Sequence, residues 1–284
     1  SEVKVMSWTA YQVTFRLLSP LHVGWRKLGN LQQTRPYVTG RSLWGAFTAR
    51  LTRESGRSDY INVGSDVDDQ LAFTYFYPST KPDKVDLWPW PGQWDEFAWT
   101  FLGSYASTAL ANARNAEAGS LHETEYIAPY ARRKAMDKEP ELVYLVGYIF
   151  EKDNYAIKPY WQGVLNNLQL GGERGYGWGR VRLHGGCKPV DNNKCFDYDL
   201  LLDDDRPRLK APRELRLLAH THADTDTPNN RGVYIEPLVG RETTESTGFG
   251  KNHSHAQVCW VPGGKVTEGE TFQIQIKGLW ELAL

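Results

Sequence analysis

The chain has 284 residues, 40% of them hydrophobic, which is enough to bury a large core in one elaborated domain or two packed ones and excludes a disordered chain. Lys and Arg (33) nearly balance Asp and Glu (34) for a net charge of -1, so a uniformly basic nucleic-acid binder is excluded and any cationic surface must be local. Cys187, Cys195 and Cys259 are an odd set without CxxC spacing, which argues against a disulfide framework and for a reducing cytoplasm.

The first residues, "SEVKVMSWTAYQV", lack a basic segment followed by an apolar one, and the longest apolar run, "LVYLVGYIF", is too short to span a bilayer. A soluble cytoplasmic protein without a membrane partner is expected. Tyr11, Val13, Phe15 and Leu17 alternate, which predicts a half-buried strand over 11–18 that ends at Ser19-Pro20. A polar loop follows to about Gly40 and carries His22, Trp25, Arg26, Lys27 and Arg35. Ser42 as a cap, Leu43, Phe47, Thr48 and Leu51 at helical spacing, and Gly56 as a stop predict a helix.

Residues 56–106 follow no regular period. Pro89, Pro91 and the tryptophans Trp88, Trp90, Trp94 and Trp99 mark them as a packed insertion into the basic fold. Segments 121–128 and 142–150 predict two strands, most economically a hairpin joined by the basic loop "YARRKAMDKEP". Trp161, Val164, Leu165 and Leu168 share one helical face, and "RVRLHG" predicts another strand. The order strand, helix, strand, strand, helix, strand matches an α+β, ferredoxin-like (RRM-like) arrangement, with both helices on one face of a four-stranded antiparallel sheet. From 188 onward a polar stretch leads into strands and turns, the clearest turn being Pro-Gly-Gly at 262–264. The expected organisation is a first domain over 1–187, with its Trp-rich insertion at about 56–106, and a β-rich extension or small domain over 188–284.

Between the second helix and the last strand of the first domain lies "LQLGGERGYGWGRVRL", residues 168–183. Glycine permits positive φ and close backbone approach, and successive exposed amides make an anion-binding concavity. Gly172, Gly175 and Gly177 would shape such a loop, Arg174 and Arg180 would meet phosphate oxygens, and Tyr176 and Trp178 would offer ring faces to unstacked bases, a combination suited to single-stranded RNA. The bland alternative is a helix-to-strand connection whose aromatics pack inward. His22 has the imidazole chemistry of a general base for a 2′-hydroxyl, but no partner acid is evident in the sequence. Two HxH pairs, His220 with His222 and His253 with His255, would turn four imidazoles toward one ion if they sat on neighbouring strands. No Cys or carboxylate accompanies them, so surface or hydrogen-bonding histidines are expected and no metal or other cofactor is assigned. "SDVDD" and "DDD" lack the Gly and terminal Glu of a calcium loop and are solvated turns, and no P-loop, GxSxG or HExxH is present.

"LLSPLHVG", "PYVTGRSLWGAF", "AEAGSLHETEYI", "VYLVGYIF" and "GGERGYGWGRV", in that order over residues 11–187, resemble the RAMP superfamily of CRISPR-associated proteins, particularly small subunits of type III effector complexes. The resemblance implies a RAMP fold that binds CRISPR RNA beside other Cas subunits in an RNA-guided antiviral complex. It implies RNA contacts by Gly172, Arg174, Gly175, Gly177 and Arg180, and a phosphate at Arg41 and Ser42, where the positive end of a helix suits an anion independently. Subunits of this kind that cut target RNA carry an Asp in the loop after the first strand; residues 19–40 contain none, so a non-catalytic role is expected, capping the guide 5′ handle or extending the backbone. The alternative is a metal-independent endoribonuclease that matures CRISPR RNA with His22.

Overall fold

The computed structural model describes residues 7–110, 115, 117, 119–132, 139–223, 234–244, 247–253, 256–266 and 269–283. Strand β1 (Trp8–Leu17) is followed by β2 (Gly24–Leu28), β3 (Leu31–Thr34), α1 (Gly40–Glu54), α2 (Tyr60–Gln70), β4 (Leu71–Phe73) and β5 (Tyr77–Ser79). Helix α3 (Trp94–Phe101) runs into β6 (Leu102–Ser107), then come β7 (His122–Ile127), β8 (Tyr130–Ala131), β9 (Glu141–Leu142) and β10 (Tyr144–Lys152). Helix α4 (Trp161–Val164) and a 3-10 turn at Leu165–Asn167 lead through the glycine-rich stretch to β11 (Val181–Pro189). The C-terminal part holds β12 (Lys194–Cys195), β13 (Tyr198–Leu201), β14 (Arg208–Ala211), β15 (Thr221–His222), β16 (Ile235–Leu238), β17 (Arg241–Thr244), β18 (Thr247–His253), β19 (Gln257–Trp260), β20 (Glu270–Ile274) and β21 (Trp280–Leu282).

The first sheet has the order β11-β1-β10-β4, every neighbouring pair antiparallel, and β5 also pairs with β10. Alternation along β1 sends Val13, Phe15 and Leu17 to one face, where they meet Leu145 and Ile149 of β10 and a lid made of Leu43 and Phe47 of α1, Val67 of α2 and Trp161 of α4. The opposite face presents Trp8, Ala10, Tyr148 and Phe150 to Leu200, Leu209, Phe272, Ile274 and Trp280. Those belong to a second sheet, ordered β12-β13-β14-β20-β21-β15-β19-β16. Strand β10 is therefore covered on both faces, which is why its sequence is an almost unbroken apolar run instead of an alternating one. A third sheet, β2-β3-β7-β6, stands beside the first, with β3 parallel to β7 and the other pairs antiparallel.

Four expectations change. Segment 121–128 does form a strand, β7, but it pairs with β6 and β3 and not with 142–150; the hairpin that links the two regions is confined to β8 and β9. The places beside β10 go to β4 and β5, which lie inside the stretch read as an insertion. Three-residue strands buried on every residue carry no period to read. The helix expected over 161–168 is one α-turn continued as 3-10. At α1 the cap is Thr39, whose hydroxyl accepts from the Ser42 amide, so Ser42 sits inside the first turn. Among the described residues no helix is long and apolar enough to cross a membrane.

Candidate nucleic-acid interface

The glycine-rich stretch is a closed loop clamped to the turn that leaves β1. The Gly172 amide donates to the His22 carbonyl (2.8 Å), the Gly179 amide to Pro20 (2.7 Å), the Arg180 amide to Ser19 Oγ (2.9 Å) and the Leu170 amide to Gly179 (2.8 Å). Gly171 and Gly179 have φ of +71° and +76°, and a Cβ on them would fall 2.2 Å from the His22 oxygen and 1.8 Å from the Leu170 oxygen. These two glycines are sterically required. Gly175, by contrast, faces open space at an ordinary φ, and Gly177, also in open space, is held at φ +82°, a conformation that favours glycine. The amides of Tyr176 and Gly177 are also bonded within the loop, and Gln169 Nε2 holds the carbonyls of Arg174 and Trp178. The loop thus offers side chains outward and keeps most of its amides for itself, so the expected row of free amides is not what it presents.

Tyr176 is 83% exposed at the tip. Trp178 is half-buried, edge-on to Tyr126 (5.3 Å) and Tyr105 (6.4 Å), and Arg174 and Arg180 are exposed. Arg174 and Gly175 line a groove of about 520 Å³ together with Ala46, Ala49, Arg50 and Arg53 of α1 and with Tyr60, Asn167 and Gln169. Three arginines therefore line one groove. Arg50 Nε donates to Glu54 (2.6 Å) and Arg53 Nε to the Ala49 carbonyl (3.1 Å), which fixes both side chains along the helix and leaves each guanidinium further N–H groups. Sequence reasoning missed Arg50 and Arg53. Their signal was there: Ala46, Ala49, Arg50 and Arg53 recur at helical spacing, small residues opening room for the two arginines on one face.

The expected residues of the loop after β1 divide. Arg26 and Lys27 are exposed on β2, and Arg26 lies 4.1 Å over the Trp25 ring with Nε on Gln33 (2.7 Å). Arg35 is buried: Nη1 donates to Glu236 Oε1 (2.5 Å), which also accepts from His220 Nε2 (2.7 Å), while Oε2 accepts from Trp25 Nε1 (2.8 Å). Tyr75 donates its hydroxyl to His220 Nδ1 (2.8 Å), consistent with a neutral imidazole whose pKa burial pushes down. Burial alone would raise the Glu236 carboxyl, but the three donors outweigh it and hold it at about 2. Arg35 consequently positions the β2–β3 hairpin and is not a surface contact.

His22 is 7% exposed beneath the glycine loop, its Nδ1 bonded to the Glu125 carbonyl (2.8 Å). At the start of α1, Gly40 packs against the backbone of Gly278, and Ser42 Oγ bonds Thr39 Oγ1 (2.9 Å), so the helix end that the sequence offers to a phosphate is occupied by the chain itself. Arg41 packs against Gly240. Of the paired histidines, His220 belongs to the buried cluster and His222 is half-buried on β15 opposite Cys259. The side chain of His253 and all of His255 lie outside the described residues. Among the described residues no three His, Cys, Asp or Glu side chains are grouped to hold a metal ion.

No family model matches the chain, and no curated protein matches it. Among solved structures, it is similar to a chain of the type III-B Cmr-beta complex bound to cognate target RNA, at 12% identity and a TM-score of 0.43, over 62% of this chain and 96% of that one. A chain of the apo Cmr-beta complex gives 11% identity and 0.38, over 64% and 98%. A chain of the complex with cognate target RNA and AMPPnP gives 13% and 0.49, over 90% and 85%.

Proposed function

We propose that this chain is a non-catalytic, CRISPR RNA-binding subunit of a type III-like, RNA-guided effector complex, with a ferredoxin-like RAMP domain over about 1–187 and a β-rich part over 188–284. The sequence motifs support the family reading, and the strand order β11-β1-β10-β4 with α1 and α4 on one face is the order a ferredoxin-like sheet requires. One observation carries the binding role: the glycine-rich loop brings Arg174 against Arg50 and Arg53 in one groove while Tyr176 stands in solvent beside it. Guanidinium groups take the phosphates and the ring takes a base, the two demands of single-stranded RNA. A groove of this size would hold a short stretch of guide, such as its 5′ handle or a segment passing along the backbone of the complex.

The reading is tested by anisotropy with a labelled single-stranded repeat RNA across a salt series. Arg53→Ala and Arg174→Ala are each expected to weaken binding by about threefold to tenfold and to reduce the slope of log K against log salt by about 0.7. Unchanged affinity and slope in both variants remove the groove from the binding site. The endoribonuclease reading has less support, because His22 is covered by the loop and its Nδ1 is engaged. A defined metal-independent cut in repeat RNA that His22→Ala abolishes would replace the binding role by cleavage.

A further inference from the structure

Natural sheets blunt their free edges with charges, proline or irregularity, because unpaired backbone groups recruit other strands. The described sheets follow this rule at most edges. Strand β2 carries Arg26 and Lys27, β11 is broken by Gly185 and Gly186 at positive φ and ends on Pro189, and β16 contains Pro237. Strand β6 does not. Its sequence, Leu-Gly-Ser-Tyr-Ala-Ser, has no charge and no proline, and it is the outer strand of β2-β3-β7-β6.

The register identifies which backbone groups are open. Glu123 of β7 donates its amide to Asn30, and Ile127 exchanges bonds with Leu21, so alternate β7 residues 123, 125 and 127 turn their backbone away from β6. Their partners on β6 are Ala106, Ser104 and Leu102, which must turn theirs outward. Leu102 uses its amide on Ala98 at the end of α3. Ser104 and Ala106 are exposed, and among the described residues no hydrogen bond reaches their outward N–H and C=O groups.

The two faces beside this edge differ in chemistry. On one, the small side chains of Ser104 and Ala106 leave Glu123 open, an exposed carboxylate with no cationic partner among the described residues. On the other stands Tyr105, 59% exposed against Trp178. We propose that the outer edge of β6 is a docking site for an extended segment of another protein chain, which adds as a strand with cationic side chains over Ser104 and Ala106 toward Glu123 and apolar ones toward Tyr105. Main-chain bonds supply the affinity and the alternation supplies the specificity. A second copy of this chain is disfavoured as occupant, since its β6 edge would bring a second Glu123 and no cation.

The proposal is independent of the RNA groove, and its test keeps the two apart. The intact protein is titrated into a short labelled peptide alternating valine with lysine, and into one alternating valine with glutamate. Wild type is expected to prefer the lysine peptide. Ala106→Pro removes an outward amide that the β6–β7 ladder does not use, and is expected to weaken that peptide about tenfold while leaving RNA affinity at the wild-type value. The exposed charge reversal Glu123→Lys, which involves no backbone change, is expected to invert the preference between the peptides. Equal binding of the two peptides by wild type, or a wild-type response in both variants, overturns the proposal. So does self-association of wild type in sedimentation that Ala106→Pro abolishes, which would make the occupant a second copy.

Discussion

Glu236 accepts hydrogen bonds from Arg35, His220 and Trp25 at once, and so ties the hairpin after β1 to the C-terminal sheet. Glu236→Gln leaves a buried guanidinium without a carboxylate and is expected to cost about 3 kcal/mol or more in urea unfolding. Glu123→Gln, at an exposed position, is expected to stay within about 0.5 kcal/mol. The pH dependence has a definite sign. Because the folded carboxyl titrates at about 2 and the ordinary value is 4.5, the unfolded chain takes up the proton first. Stability from this group is complete above about 4.5 and is lost as pH falls toward 2, and the Gln variant is expected to show a shallower acid limb in the same window. Little of this was legible in the sequence: Arg35 reads as a loop cation and His220 only as a surface or hydrogen-bonding histidine, since Arg35 lies 185 residues from His220 and 201 from Glu236 and such separations leave no local pattern.

At the scale of the element, the glycine-rich loop is fixed where its backbone touches the turn after β1 and its own first residues, and open where it meets solvent. Gly179→Ala would place a methyl group on the Leu170 carbonyl at a positive φ, and is expected to destabilise by about 2 kcal/mol or more and to weaken RNA binding with it. Gly175→Ala, with nothing within 4 Å of the added carbon, is expected to change stability by less than about 0.5 kcal/mol. Thermal melts of the two variants beside RNA titrations check both. Here the sequence was informative in part. It marked the loop, its two arginines and its aromatics, because glycine spacing and residue type are local. It did not give the rest of the groove, since Arg50 and Arg53 gain their meaning from α1 lying alongside the loop.

For the whole molecule, the decisive feature is that β10 is apolar on both faces and that the β4–β5 segment and the start of β1 add large side chains to the core beneath the second sheet. Trp8, Tyr75, Tyr77, Tyr148 and Phe150 are all buried in the core shared with the second sheet, and Tyr77 donates its hydroxyl to the Leu218 carbonyl (2.7 Å). Exposing five large side chains costs on the order of 10 kcal/mol, as much as a typical domain's entire stability. A fragment ending at 187 is therefore expected to lack a cooperative melt in circular dichroism, and the full chain is expected to unfold in one calorimetric transition. Two separated transitions would show that the halves fold independently.

The sequence by itself determined β1, α1, β7, β10, β11 and the loop before β11 as local elements, because alternation, helical spacing and glycine punctuation act over a few residues. It also showed the strong apolar character of β10. Only the tertiary structure decided which strands pair, that β4 and β5 and not β7 lie beside β10, and that Arg35 faces inward while Arg50 and Arg53 face a groove. Pairing and burial depend on contacts between residues far apart in the chain, and the free energy that selects among them is spread over the whole core and not written in any one segment.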